Sequence, residues 1–186
     1  MAKKVLLLLA DGFEPLEAAG FTDVLGWANI DGEEPIELVS AGLRPRLRAT
    51  FGFSVIPDAL VADLDLDSFD ALAVPGGFAR AGFYNDAMSE PFLDVIRHFE
   101  ARGKLVASVC VASLALGAAG ILHGRRATTY HQAGGKRLVP GDDGILQRFV
   151  LGGHVAHRFG DVHALVRAAG QFFGQGLGQE ALGQVI

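Results

Sequence analysis

The chain is poor in sulfur, with one cysteine, Cys110, and two methionines among 186 residues. A single thiol excludes an internal disulfide framework, so the fold must rest on packing and suits a reducing compartment. Basic side chains are also scarce: 16 Lys and Arg stand against 21 Asp and Glu, for a net charge of −5. That balance excludes a broad phosphate-neutralising surface and, with it, general nucleic-acid binding. Arg125-Arg126 and Lys136-Arg137 are short local pairs of the kind found on any solvated surface. Long apolar runs are missing, and nothing approaches the ~18–20 residues of a membrane span. The run at residues 5–10 after Met-Ala-Lys-Lys is too short for a secretory leader, and Asp11 and Glu14 follow it at once. The expectation is a cytoplasmic protein with neither nucleic acid nor membrane as partner.

What remains is the composition of an ordinary globular domain: half the residues are hydrophobic and a fifth charged. Residues 1–186 read as one domain, with a Gly- and Gln-rich tail at about 174–186. Residues 5–9 form a continuous β-prone run, as in a central parallel strand covered on both faces. Asp11-Gly12-Phe13 is a turn, and Pro15 opens a helix to about Ile30. Leu16, Ala19, Phe21, Val24 and Trp27 are its helix-spaced apolar positions. Residues 36–40 make a second strand. Residues 47–56, with Gly52, read as a hairpin or an addition to the sheet edge.

After an acidic loop (Asp63, Asp65, Asp67, Asp70), strand 71–74 runs into Pro75-Gly76-Gly77. Residues 91–101 predict an amphipathic helix with Phe92, Val95, Ile96 and Phe99 on one side. A strand at 104–109 leads to Cys110, and a helix follows at 111–119. Further strands are read at 126–129 and 145–151, a turn at Gly134-Gly135, and a helix at 161–173. Alternation of this kind implies right-handed βαβ crossovers and a parallel sheet between helices, an α/β fold.

In such sheets, sites collect at the carboxyl ends of the strands. Three junctions qualify: residues 11–17, residues 75–77, and Cys110. They converge if their strands are neighbours. A thiol between a strand and a helix meets unpaired N–H groups and the helix dipole, which favour the reactive thiolate. The bland alternative is a small buried hydrophobe. Glu17, early in the first helix, is a candidate partner that would exchange protons with the sulfur or substrate; Glu14 competes with it. Gly76 and Gly77, with Val111, would offer backbone N–H donors to a developing oxyanion. Tyr130 and His131 follow a strand whose end could return to the same face, where either could assist the thiol. Phe13, Phe78, Tyr84 and the loop at 154–157 are candidate pocket walls. His154, His157 and His163 near Asp161 match no zinc spacing, and the acidic loop lacks a calcium-loop pattern. No metal and no cofactor are expected. His157 and Asp161 could contribute across a subunit boundary.

Several segments together resemble the ThiJ/PfpI superfamily. They are Leu9-Ala-Asp-Gly-Phe-Glu-Pro-Leu-Glu17, Pro57-Asp58 ahead of Phe69-Asp-Ala-Leu-Ala-Val-Pro-Gly-Gly77, Ala107-Ser-Val-Cys-Val-Ala-Ser-Leu-Ala-Leu116, and Ala119-Gly-Ile-Leu-His-Gly-Arg-Arg-Ala-Thr-Thr129. Matches in this order cover roughly residues 3–140. The resemblance implies a flavodoxin-like three-layer α/β/α sandwich, related to the class I glutamine amidotransferase fold, and a homodimer. It also implies a nucleophile-elbow cysteine in strained backbone, matched by Cys110, paired with a glutamate matched by Glu17. Three segments differ from the common pattern: Val111-Ala112 after the cysteine, Thr128-Thr129-Tyr130-His131, and Gly152-Gly-His-Val-Ala-His157 before the last helix.

By this resemblance the leading function is glyoxalase- or deglycase-like chemistry on small reactive aldehydes. Its competitors are a non-catalytic redox-stress sensor or chaperone working through Cys110 oxidation, an isonitrile hydratase, and an amide or peptide hydrolase. A His-x-Glu pair near the C-terminus, which an amidotransferase triad would need, is absent.

Overall fold

The strand β1 (Lys3–Leu9) lies at the centre of the molecule because both of its faces are apolar. Leu6, Leu8 and Ala10 point into one core and Val5, Leu7 and Leu9 into another, all at most 4% exposed. A strand buried on both sides demands a layer of structure on each. The computed structural model, which describes residues 2–32 and 35–125, shows how those layers are supplied.

β1 pairs in parallel with β2 (Ile36–Gly42) on one side and with β6 (Ala71–Val74) on the other. β2 carries the short edge strand β5 (Ala59–Leu60), and β6 pairs with β7 (Leu105–Ser108). The order β5-β2-β1-β6-β7 is all-parallel. The hairpin between β3 (Leu47–Arg48) and β4 (Ser54–Val55) forms a separate two-stranded sheet rather than an addition to the main edge. With helices on both faces, this is the three-layer α/β arrangement.

Helix α1 (Pro15–Asp31) covers one face through Ala18, Phe21 and Leu25, spaced three and four residues apart. The apolar stripe read from sequence is corrected here. Leu16 is 79% exposed and Trp27 58%, and Ile30 joins them on the outer side. α1 has apolar residues on both sides, so spacing alone could not show which side the sheet takes. The opposite face is covered by the short α2 (Phe83–Ala87), by α3 (Glu90–Ala101), and by α4 (Ala112–Ala118). α3 buries Phe92, Val95, Ile96 and Phe99 as its pattern predicts. Among the described residues, no helix is long and apolar enough to cross a membrane. The strands read at 126–129 and 145–151 and the helix at 161–173 lie outside the described residues.

Adjacency of β1, β6 and β7 decides where chemistry can occur. The loops leaving their carboxyl ends, namely residues 11–17, residues 75–77, and Cys110, leave from neighbouring strands. They meet at one edge of the sheet, as open α/β folds arrange their sites.

Candidate active site

At Cys110 the chain turns from strand to helix within a few residues. β7 ends at Ser108, yet the Val109 N–H still donates to the Val74 carbonyl at 3.1 Å. Immediately afterwards Ala112 N–H donates to Val109 C=O and Leu114 N–H to Val111 C=O, at 3.2 and 3.0 Å. Fitting both patterns forces Cys110 to φ 56. A non-glycine residue held there costs on the order of 1–3 kcal/mol and persists only where its surroundings over-determine it. Here the flanking hydrogen bonds do so, together with complete burial of Ala112 and near-complete burial of Val111. The Ser113 hydroxyl adds a hydrogen bond to the Cys110 carbonyl at 2.9 Å. The turn leaves Cys110 exposed. It is not core filler.

Glu17, in the first turn of α1, brings its carboxyl group to the sulfur and hydrogen-bonds the Cys110 side chain. Its Oε2 also accepts the Gly76 N–H at 2.7 Å. Partial burial removes water from this carboxyl and pushes its pKa above the ordinary 4.5. The negative Glu14 nearby pushes the same way, and together they outweigh the lowering effect of the Cys110 and Gly76 hydrogen bonds. Glu17 therefore holds its proton to higher pH than a solvated glutamate. Glu14 is engaged elsewhere: its Oε2 accepts the Thr50 hydroxyl at 2.9 Å, and its N–H donates to the Gly76 carbonyl at 2.8 Å.

Gly76 and Gly77 are needed for close approach. A Cβ at Gly76 would stand 2.7 Å from Glu17 Oε2, 3.0 Å from Val109 O and 3.1 Å from Val111 N. One at Gly77 would strike the Gly12 carbonyl and lie 2.6 Å from the Phe83 ring. Phe13 and Gly77 form an antiparallel bridge that ties the first loop to the second. The Gly76 amide, read as an oxyanion donor, is turned to Glu17 Oε2. The Val111 nitrogen lies beside Gly76, 3.1 Å from where a Cβ there would stand.

Of the wall candidates, Phe13 is buried in the α1-side core at 3% exposure, Tyr84 is half-buried, and Phe78 stands 48% exposed. Tyr130, His131, His154, His157 and Asp161 lie outside the described residues. Among the described residues no group of three His, Cys, Asp or Glu side chains could hold a metal ion.

Three supporting residues escaped sequence reading. Buried Thr50 anchors the hairpin, its N–H donating to the Phe13 carbonyl at 2.9 Å and its hydroxyl to Glu14. Asp86 is 2% exposed and accepts from both terminal nitrogens of Arg44, at 3.0 and 2.7 Å, and from the Asp11 N–H at 2.9 Å. Asp11 in turn accepts the Arg48 N–H. These bonds strap the loop after β1 to α2 and to the hairpin. No local motif marks such pairs, because their members are 75 and 42 residues apart in the chain.

Residues 3–173 match the model of the DJ-1/PfpI family. A deglycase of Pyrococcus abyssi is 30% identical over 166 residues, covering 88% of this chain and 95% of its own. An isonitrile hydratase of Pseudomonas putida is 36% identical over 130 residues, covering 70% of this chain and 53% of its own. The crystal structure of DJ-1beta from Drosophila melanogaster superposes with a TM-score of 0.55 at 32% identity, over 64% of this chain and 61% of that one. The chain spans only 28% and 31% of the length of the two Arabidopsis thaliana DJ-1 homologs that it matches. By the family match over residues 3–173 and by the fold that carries it, this chain belongs to the DJ-1/PfpI family.

Proposed function

We propose that this protein is a cysteine-dependent enzyme acting on small reactive carbonyl compounds, with Cys110 as nucleophile and Glu17 as proton carrier. The observation that supports it is the hydrogen bond between an exposed thiol at positive φ and a carboxyl group whose pKa is raised. Such a pair shares one proton between sulfur and carboxyl, so a thiolate can exist beside a neutral acid.

On a 2-oxoaldehyde the thiolate adds to the aldehyde carbon, forming a C–S bond. The carbonyl pair moves to oxygen, which takes the Glu17 proton, and the amides of Gly77 and Val111 steady that oxygen. The Glu17 carboxylate then removes the proton on the former aldehyde carbon and returns it to the neighbouring carbon, giving a 2-hydroxy thioester. The two oxygens exchange one proton with solvent along the way. Water cleaves the thioester, releasing the 2-hydroxy acid and restoring the Cys110–Glu17 pair. The net change is oxoaldehyde plus water to hydroxy acid, with no oxidant or reductant consumed. Tyr130 and His131 are the candidates for a third group at this site. Conversion of methylglyoxal to lactate, lost in Cys110→Ala, tests the proposal; wild-type protein that turns over no faster than Cys110→Ala would defeat it.

Exposure of the same thiol supports a second reading, a redox sensor in which peroxide takes Cys110 to the sulfinate and neutral Glu17 donates to a sulfinate oxygen. Mild peroxide would then add 32 Da at Cys110 in intact-mass measurement, by the two oxygens of the sulfinate.

We also propose a homodimer. Leu16, Trp27 and Ile30 form an exposed apolar strip on the outer side of α1, beside Gly20, whose missing side chain leaves room for close approach. A second copy covering this strip would remove from water apolar surface that a monomer leaves exposed.

A further inference from the structure

Phe78 and Phe51 expose aromatic rings that the fold does not use. Phe78 is 48% exposed and Phe51 94%, and their ring centroids lie 6.5 Å apart at a tilt of 51°. Their placement follows from the backbone. The missing Cβ of Gly76 faces Glu17 Oε2 and the peptide groups flanking Cys110, whereas that of Gly77 faces the opposite way, into Gly12 and Phe83. Phe78 is extended, at φ −125 and ψ 138, and stands two residues after Gly76, the spacing at which side chains return to the same face of extended chain.

Phe51 reaches the same place from the hairpin. Its neighbour Thr50 bonds Glu14, and Glu14 N–H donates to the Gly76 carbonyl. Phe51 is the second non-glycine residue at positive φ among those described, at 61. A bulky side chain is a true outlier there, and its strain is not offset by burial.

We propose that Phe51 and Phe78 form an aromatic shelf beside Cys110 that selects substrates carrying a flat, uncharged aryl group next to the reactive carbonyl. This deepens the reading of Cys110 as nucleophile by naming the substrate class. Two tilted rings offer faces and edges to a third ring. The negative Glu14 and the Cys110 thiolate disfavour an anionic substituent nearby. An arylglyoxal fits this shelf; methylglyoxal leaves it empty.

The test uses the single thiol, whose alkylation intact mass reads directly. Rates of Cys110 alkylation by 2-iodo-N-phenylacetamide and by iodoacetamide are each divided by the rate with glutathione. In the wild type the phenyl reagent gains about tenfold over iodoacetamide, the scale of one good aromatic contact. In Phe78→Ala and Phe51→Ala the gain, taken against each variant's own iodoacetamide rate, falls towards one. Both rings are exposed, so the variants keep the fold, which thermal melting verifies. kcat/KM for phenylglyoxal over methylglyoxal follows the same order. A ratio near one in the wild type, or a ratio unchanged in Phe78→Ala, overturns the shelf. A ratio near one together with a dimer that Phe78→Ala dissociates also overturns it, assigning the rings to a contact between copies. An intact ratio without turnover of either glyoxal upholds the shelf and removes only the carbonyl-enzyme reading.

Discussion

The Gly76 N–H donates to Glu17 Oε2 at 2.7 Å, so the peptide after β6 orients the carboxyl group that meets the Cys110 sulfur. Glu17→Gln keeps the size and the acceptor for Gly76 but cannot carry a proton between two carbons. It should lower kcat on a 2-oxoaldehyde by about 10²–10⁴-fold, the usual worth of a positioned acid–base group. Alkylation of Cys110 by iodoacetamide needs the thiolate but no proton carried between two carbons, so it should fall less than turnover does. A parallel loss in both assays would mean that Glu17 acts only through the thiol.

Stability should respond to pH through the same residue. Below the ordinary 4.5, Glu17 is protonated both folded and unfolded and contributes no pH dependence. As pH rises above 4.5 the unfolded chain releases this proton first, while the folded chain holds it. Stability from this group therefore falls until the raised folded pKa is passed, and is level beyond. Glu17→Gln removes that loss. Urea unfolding at pH 4 and pH 7.5 should show the variant gaining stability relative to wild type at the higher pH.

The two glycines should fail differently. Alanine at Gly77 would drive a methyl into the Gly12 carbonyl and the Phe83 ring, neither of which can retreat without moving the core. A loss of about 2–4 kcal/mol is expected in denaturant unfolding. Alanine at Gly76 meets Glu17 Oε2, the end of a side chain, at 2.7 Å, and the backbone atoms Val109 O and Val111 N less severely, at 3.0 and 3.1 Å. It should cost less than about 1.5 kcal/mol yet displace Glu17 and depress turnover by at least about tenfold.

Asp86 and Arg44 bear on the frame rather than the chemistry. Asp86→Asn keeps one acceptor for Asp11 N–H but loses the charged fork, for an expected cost of about 1–3 kcal/mol. Arg44→Met leaves a buried carboxylate without its cation and should cost more, up to about 3–5 kcal/mol. Equal costs would show that water enters to replace the guanidinium.

The proposed dimer rests on the outer strip of α1. Trp27→Glu would place a charge in that contact and should shift sedimentation from dimer to monomer, with a melting temperature in the monomer independent of concentration. A wild-type chain that sediments as a monomer at ten micromolar or so would remove the proposal.

Much of this was legible in the chain. The apolar run of β1 and the Phe92-Val95-Ile96-Phe99 stripe of α3 carry their element in length or periodicity, and the strand at 71–74 was marked by its apolar run into Pro75-Gly76-Gly77. Cys110 and Glu17 were visible by type and by position after predicted strands. α1 was read only in part: Phe21 of the predicted stripe is buried, but Leu16 and Trp27 face outward and Leu25 packs inward instead, because apolar residues stand on both sides of this helix. The short strands β4 and β5 and the helix α2 hold two to five residues each, too few to show a period.

By itself the sequence determined the α/β class, the scarcity of sulfur that makes Cys110 unique, and the loops where chemistry could stand. These are local or compositional properties. Tertiary structure alone decided that Glu17 rather than Glu14 meets the sulfur, that Gly76 orients it, and that Cys110 is bent to φ 56 and exposed. Each of those outcomes depends on β1, β6 and β7 lying side by side, which joins residues 59 positions apart through one hydrogen bond. Contacts at such separation are set by how two apolar faces pack, and no window of neighbouring residues encodes them.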